Sequence, residues 1–259
     1  TFAIRFKQSA FRGFRALRLS IRGEIQKARA VAASAASFGF GPGTYDRIDD
    51  VAKAVEGAGH RSLFFIHARR AWRNPVDALL DPGYAPDTAG LGERLRRLVA
   101  RGHEVGVHPS YSSWNDAARL TEERAAIGQL AAGEVRACRQ HWMRFSWTRT
   151  WVAQEQAGFS LDSTLGFNDR PGFRVGAALR HRPWNAGAGG PHKLEVLPLV
   201  VMDSHLYDYA ELDPLARGAR LRHFIGEVRA VGGEAAILWH PHTLSADYGW
   251  QGGFEEMLE

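Results

Sequence analysis

One pattern recurs five times along this chain and limits its fold more than any other feature. An amphipathic helical stretch meets a glycine stop, then a short β-rich run, then an ionisable residue. Ile48, Val51, Ala52 and Val55 stand at helical spacing, stop around Gly57 and Gly59, and yield to Leu63-Phe64-Phe65-Ile66 and His67. Leu91, Leu95, Leu98 and Val99 lead through Gly102 to residues 103–107 and His108. Leu120, Ile127, Leu130 and Ala131 lead through Gly133 to residues 134–138, followed by Arg139, Gln140 and His141. Trp151 and Val152 lead through Gly158 to Phe159-Ser160-Leu161 and Asp162. Leu221, Phe224, Ile225 and Val228 lead through Gly232 and Gly233 to residues 235–239 and His240. A sixth run, residues 194–202, ends in Asp203 but follows a Gly/Pro-rich loop at 183–192 instead of a helix. Such alternation predicts right-handed βαβ units, that is, an α/β fold with a parallel sheet covered by helices.

In sheets of this kind, open or closed into a barrel, chemistry sits at the carboxyl ends of the strands. Any strand must meet polar residues where it leaves the core, so one ionisable end says little. Six of them, four offering a histidine, point to a shared polar site able to bind a metal. His60 and His103 fall at the opposite ends and read as structural. The turn-rich excursions 74–92 and 166–191 leave from the carboxyl side and are expected to shape substrate access.

With 259 residues, 45% of them hydrophobic, the chain can bury a sizeable core. The single cysteine, Cys138, excludes an intrachain disulfide and any multi-cysteine metal site. No run approaches the roughly 18 apolar residues that cross a bilayer. The net charge of +5 is unevenly spread, because residues 1–30 hold eight basic groups against the single acid Glu24. Everything beyond them is slightly acidic. Residues 8–24 interleave Phe11, Phe14, Leu17 and Ile21 with Arg12, Arg15, Arg18 and Arg22, a basic amphipathic helix that either packs on the domain or contacts an anionic membrane surface. No nucleic-acid module accompanies the charge, so nucleic acid is not an expected partner. The expected compartment is the cytoplasm, with the periplasm or a membrane periphery as alternatives.

The segment Arg101-Gly102-His103-Glu104-Val105-Gly106-Val107-His108-Pro109-Ser110-Tyr111 resembles the second motif of NodB-type polysaccharide deacetylases, the fourth carbohydrate-esterase family. It is similar in particular to a divergent branch reading Gly-His-Glu-Val-Gly-x-His-Pro-Ser-Tyr. Further pieces follow in order: residues 139–145, residues 157–167, residues 172–176, Pro198 to Asp203, and Leu238-Trp239-His240. The resemblance implies one domain over 1–259, with a basic helical excursion at 1–44 and a barrel core at 45–245. It implies a distorted (β/α) barrel of about seven parallel strands, and metal-dependent removal of an acetyl group from a sugar of a bacterial surface polysaccharide or its precursor. A divalent metal, zinc by preference, would polarise the acetyl carbonyl and activate a water.

Carried over by residue, His108 is the first metal histidine and Arg139 the arginine that holds the catalytic base. Asp162 is the carboxylate orienting the acid, and His240 is the general acid. The family's second metal histidine falls at Ser112, so His141 is the substitute candidate; equally open is weak or absent metal binding. The family's first strand ends in an Asp-containing motif that has no counterpart here, since Asp46, Asp49 and Asp50 open a helix. The resemblance therefore places that strand upstream of Thr1. Tyr111, Arg170, Arg174, Trp184, Asp203 and His67 are the candidate contacts to an acetylated glycan, with Trp142 and Trp239 as further stacking candidates. Three alternatives stay open: a catalytically inactive glycan-binding or assembly barrel, an amidohydrolase using His240 and His242, and a glycosidase using Asp162 and Asp203.

Overall fold

The computed structural model describes residues 2–40, 46–68, 74–81, 90–210, 212–245 and 248–259. Two helices, α1 (Phe2–Ile21) and α2 (Ile25–Phe40), form a hairpin that turns at Gly23, where φ is +77°. Only glycine enters that left-handed region freely. Then come α3 (Ile48–Gly57), β1 (Leu63–His67), α4 (Pro75–Leu80), α5 (Leu91–Ala100), β2 (Glu104–His108), α6 (Ala117–Ala131), β3 (Ala137–Cys138), α7 (Thr150–Gln156) and β4 (Leu161–Asp162). A small antiparallel hairpin follows, β5 (Trp184–Asn185) with β6 (Gly190–Pro191). The chain closes with β7 (Glu195–Val196), β8 (Leu199–Met202), α8 (Asp203–Tyr207), α9 (Pro214–Ala230), β9 (Ala236–Leu238) and α10 (Gln251–Leu258).

The helices form where apolar residues repeat at helical spacing, and each lays that stripe on the sheet. Val51, Ala52 and Val55 of α3, Leu95 and Leu98 of α5, and Leu120, Ile127 and Ala131 of α6 all enter one core with Phe64, Ile66, Val105 and Val107. Each fully buried leucine or isoleucine among them contributes about 1.5–3 kcal/mol. The acids predicted to open the first helix do so: Asp49 and Asp50 lie in the first turn of α3, and Asp46 and Asp49 both pair with Arg94 of α5. Tyr45 lies outside the described residues. Within the excursion at 74–92, Pro75–Leu80 coils into α4, capped by the Asn74 side chain accepting the Asp77 N–H at 2.8 Å, with Pro75 at its first position.

All ladders of the main sheet are parallel, in the order β1-β2-β3-β4-β7, and β8 pairs in parallel with β9. The sixth run of the sequence therefore serves twice. Glu195–Val196 pairs with β4, and after Leu197-Pro198 the same segment turns to pair with β9. Proline has no N–H to give to a ladder, which explains a break at that point. Strand neighbours thus follow chain order, as in a barrel. The expected closed barrel of about seven strands is not what is seen: among the described residues β1 and β9 share no ladder, and the sheet is open.

Candidate active site

A ladder of side chains continues the sheet past its last backbone bonds. His67 at the end of β1 places Nδ1 3.1 Å from the carbonyl of His108. His108 at the end of β2 places Nδ1 2.7 Å from the carbonyl of Arg139. Arg139, following β3, donates Nε–H to the carbonyl of Ser163 at 3.0 Å and Nη2–H to its hydroxyl at 2.9 Å. Each strand-end side chain thereby satisfies the terminal carbonyl of the next strand, which a neutral ring can do only through N–H. Gly106 supports this ladder from below. A Cβ there would come within 2.8 Å of the Phe65 ring, and that ring lies 4.2 Å beneath the Arg139 guanidinium. Burial lowers the Arg139 pKa to about 10, against the favourable charge of Asp162, and it stays a cation at neutral pH.

His108 and His141 meet directly, Nε2 to Nδ1 at 2.7 Å, their rings edge to face. His141 Nε2 faces the Leu80 carbonyl at 2.9 Å. Both outer nitrogens therefore carry hydrogens, and the two inner ones present lone pairs to each other unless a proton lies between them. Burial, then the charges of His141 and His67, hold the His108 pKa well below the usual imidazole value. Outer N–H groups fixed on carbonyls are the arrangement that orients metal-binding imidazoles, so the donor chemistry suits zinc. The spacing and the number of donors do not yet complete a site. Tetrahedral bonds of ~2.0–2.1 Å need nitrogens about 3.3 Å apart, and no group of three or more His, Cys, Asp or Glu side chains converges as a metal cage among the described residues.

His141 opens a tight turn in which Trp142 and Met143 both adopt the left-handed region, with φ of 56° and 48°. Such backbone costs about 1–3 kcal/mol per non-glycine residue. The turn leaves the Trp142 ring exposed, edge to face with His141 at 6.3 Å.

Across the sheet, Asp203 holds His240. Oδ1 accepts the ring Nδ1–H at 2.8 Å, Oδ2 accepts the His240 backbone N–H at 2.8 Å, and the Thr243 hydroxyl adds a bond at 3.2 Å. Asp203 is fully buried, whereas the His240 side chain is 41% exposed. Burial opposes charge on both groups, but their mutual attraction and hydrogen bonds prevail: the Asp203 pKa is lowered and the His240 pKa raised. His242 lies beside them, its pKa lowered to about 4 by burial and then by the charge of His240.

Asp162, expected to orient the acid, bonds other partners than His240. Asp162 accepts from Trp151 Nε1 at 3.2 Å, Gln154 Nε2 at 2.8 Å and the Thr164 hydroxyl, and it is wholly buried. Burial raises its pKa, and those three bonds only partly offset the rise. Asp203, expected to contact substrate, is buried and is the carboxylate that bonds His240. His67 is likewise 1% exposed, so it cannot line a substrate groove. A glycosidase pair fails for the same reason, since both Asp162 and Asp203 are fully buried and committed to internal bonds. The amidohydrolase alternative is not decided by this bond, because Asp203 on Nδ1 leaves the His240 Nε2 lone pair to a ligand.

The other candidates sit around the loops. Tyr111 is half-buried, its N–H held by Asp81 Oδ1 at 2.8 Å and its ring 4.3 Å under the Arg144 guanidinium. Arg170 pairs with Asp169 at 3.0 Å over the Phe167 ring, and Arg174 donates to the Gly166 carbonyl at 3.1 Å. Trp184 stands exposed on the β5–β6 hairpin, outside the bonded cluster. Trp239, the other stacking candidate, is buried in the core. Ser112 accepts from the Asn74 amide at 3.3 Å.

Sequence reasoning passed over a buried network behind the His108 loop. Arg119 bonds Asp77 at 2.6 Å and lies 3.4 Å from Glu123, which accepts the Ser110 N–H at 3.1 Å and the Ser113 hydroxyl at 3.0 Å. Burial raises the Glu123 pKa. The signal was present: Arg119 and Glu123 share a helical face with the core residues Leu120 and Ile127.

No family model matches the sequence, and no curated protein is significantly similar to it. Among solved structures, one described provisionally as a polysaccharide deacetylase from Mycobacterium smegmatis superposes with a TM-score of 0.55. It is 17% identical, over 95% of this chain and 79% of that one. At that identity the likeness shows the fold. A GH57 branching enzyme from Thermococcus kodakaraensis, in complex with glucose, matches at a TM-score of 0.38 and 13% identity, over 98% of this chain and 56% of that one, too distant to bear on function.

Proposed function

We propose that this chain is a carbohydrate deacetylase, removing an acetyl group from a sugar of a bacterial surface polysaccharide or its precursor. The observation that carries this reading is the Asp203–His240 pair at the carboxyl ends of adjacent parallel strands, on a fold shared with a structure described as a polysaccharide deacetylase. An ionised, buried Asp203 fixes the His240 tautomer and keeps the ring protonated to higher pH than a free imidazole. His240 then delivers its proton to the leaving nitrogen or oxygen as the acetyl group departs to water, giving acetate and the free sugar amine or hydroxyl. Arg139 contributes a fixed buried cation beneath the same mouth. The exposed Trp142, edge to face with His141, and Tyr111, under Arg144, would offer rings for a sugar to stack on. Arg170, Arg174 and Trp184 remain loop contacts for the glycan.

In this reading His108 and His141 would hold a divalent cation, zinc by donor type. When bound, the cation supplies carbonyl polarisation and an acidified water.

A second reading, a glycan-binding domain without catalysis, is favoured by the direct 2.7 Å contact between those two rings and the lack of a third converging donor among the described residues. Acetate release from N-acetylated chitooligosaccharides and O-acetylated xylan, with and without added zinc, separates the two. Release that His240→Ala lowers by about 10²–10⁴-fold supports the deacetylase. Glycan binding with no acetate released supports the binder.

A further inference from the structure

Among its described side chains, the α1–α2 hairpin buries small residues and exposes large ones. Its seam is made of small residues, with Ala16, Ala28 and Ala35 buried and the Ser9 hydroxyl bonded to the Ala35 carbonyl at 2.8 Å. Four large apolar residues point outward: Phe14 is 62% exposed, Leu17 57%, Ile21 77% and Ile25 48%. Phe14, Leu17 and Ile21 fall at i, i+3 and i+7, within one narrow arc of the helix. Arg18 and Arg22 stand exposed on the flank of that arc, and Arg29 stands one turn beyond Ile25 on α2. The inward side of α1 is anchored elsewhere, since the Arg12 guanidinium lies 4.9 Å over the Tyr248 ring.

We infer that this ridge docks the protein on an anionic lipid surface. An exposed apolar ridge is a contact surface, and the charge beside it selects the partner. The excess of seven positive charges in the first thirty residues faces a slightly acidic remainder, so the attraction is confined to the hairpin. A lipid interface takes both components at once, apolar side chains below the headgroups and arginines among anionic ones. No described helix is long and apolar enough to cross a membrane. Because Arg12 fastens α1 beside Tyr248 and His242, docking would hold the His240 end of the sheet near the bilayer.

The test is co-sedimentation of the full chain with vesicles of phosphatidylcholine alone and of an equal mixture with phosphatidylglycerol. Binding should be at least tenfold tighter to the mixture, should weaken with salt, and should fall about fivefold for each of Arg18→Gln and Arg22→Gln. The Phe14→Ser/Leu17→Ser/Ile21→Ser variant should lose binding while keeping its circular dichroism spectrum. If that variant misfolds, Leu17→Cys carrying an environment-sensitive dye gives the same answer, since Cys138 is buried. A blue shift on mixed vesicles supports the proposal. An unshifted dye, equal binding to both vesicles, tighter binding to a DNA duplex, or a dimer in sedimentation velocity that the apolar variant abolishes would overturn it.

Discussion

Asp203 engages His240 twice, through the ring N–H and through the backbone N–H, each at 2.8 Å. The pairing of β8 with β9 brings them to one end of the sheet: Met202 stands opposite Leu238, Asp203 follows at once, and His240 comes two residues past β9. One carboxylate therefore sets both the rotation of the imidazole and the path of the chain that carries it.

Asp162 should behave as a structural acid. In Asp162→Asn, one of the buried donors Trp151 Nε1, Gln154 Nε2 or the Thr164 hydroxyl faces an amide N–H instead of an oxygen, at a cost of about 1–3 kcal/mol in urea unfolding. Because burial raises the folded pKa of Asp162, charging it costs stability as pH rises through the carboxylate range. The asparagine variant should lose that part of the pH dependence. Unchanged stability at every pH would contradict this account of Asp162.

Arg119 should matter for stability. Arg119→Met leaves Asp77 and Glu123 buried without their cation and should cost about 3–5 kcal/mol. A loss under about 0.5 kcal/mol, the range of ordinary surface substitutions, would show that the network behind the His108 loop holds nothing in place.

The two facing imidazoles predict a specific tautomer pattern. Nitrogen-15 spectra of the neutral form should show His108 protonated at Nδ1 and His141 at Nε2. Zinc titration calorimetry should show a site that His108→Ala and His141→Ala each weaken at least tenfold, in line with the loss of metal ligands or their supports. Opposite tautomers, or zinc affinity untouched by both changes, would remove the pair from any metal-binding role.

Much of the fold was legible because the helix-to-strand rhythm is carried by apolar spacing and glycine stops, which act locally. The strand ends at His67, His108, Asp162, Asp203 and His240 fall close to where that rhythm puts them. The break at Pro198 was also local, yet its consequence, one run shared by two sheets, depends on which strands lie on either side. That Asp203 and not Asp162 bonds His240 was hidden for a similar reason. A strand end shows that a residue reaches the mouth, but only lateral pairing tells which carboxylate meets which histidine. The Arg119–Glu123 pair stayed hidden because charges on a helix usually face water, and only packing reveals them turned inward. The side-chain ladder from His67 to Ser163 needs the register of adjacent strands, which no single segment contains.

The central claim is that Asp203 keeps His240 protonated for acid catalysis, and the pH profile of acetate release tests it most directly. Asp203 raises the His240 pKa above the usual 6.5, so the active acid form persists to higher pH and is lost as pH rises through the raised value. In Asp203→Asn the alkaline limb of kcat/KM should move to lower pH, while in Asp162→Asn it should stay where the parent protein has it. An alkaline limb that Asp203→Asn leaves in place, or that Asp162→Asn moves instead, would contradict the account.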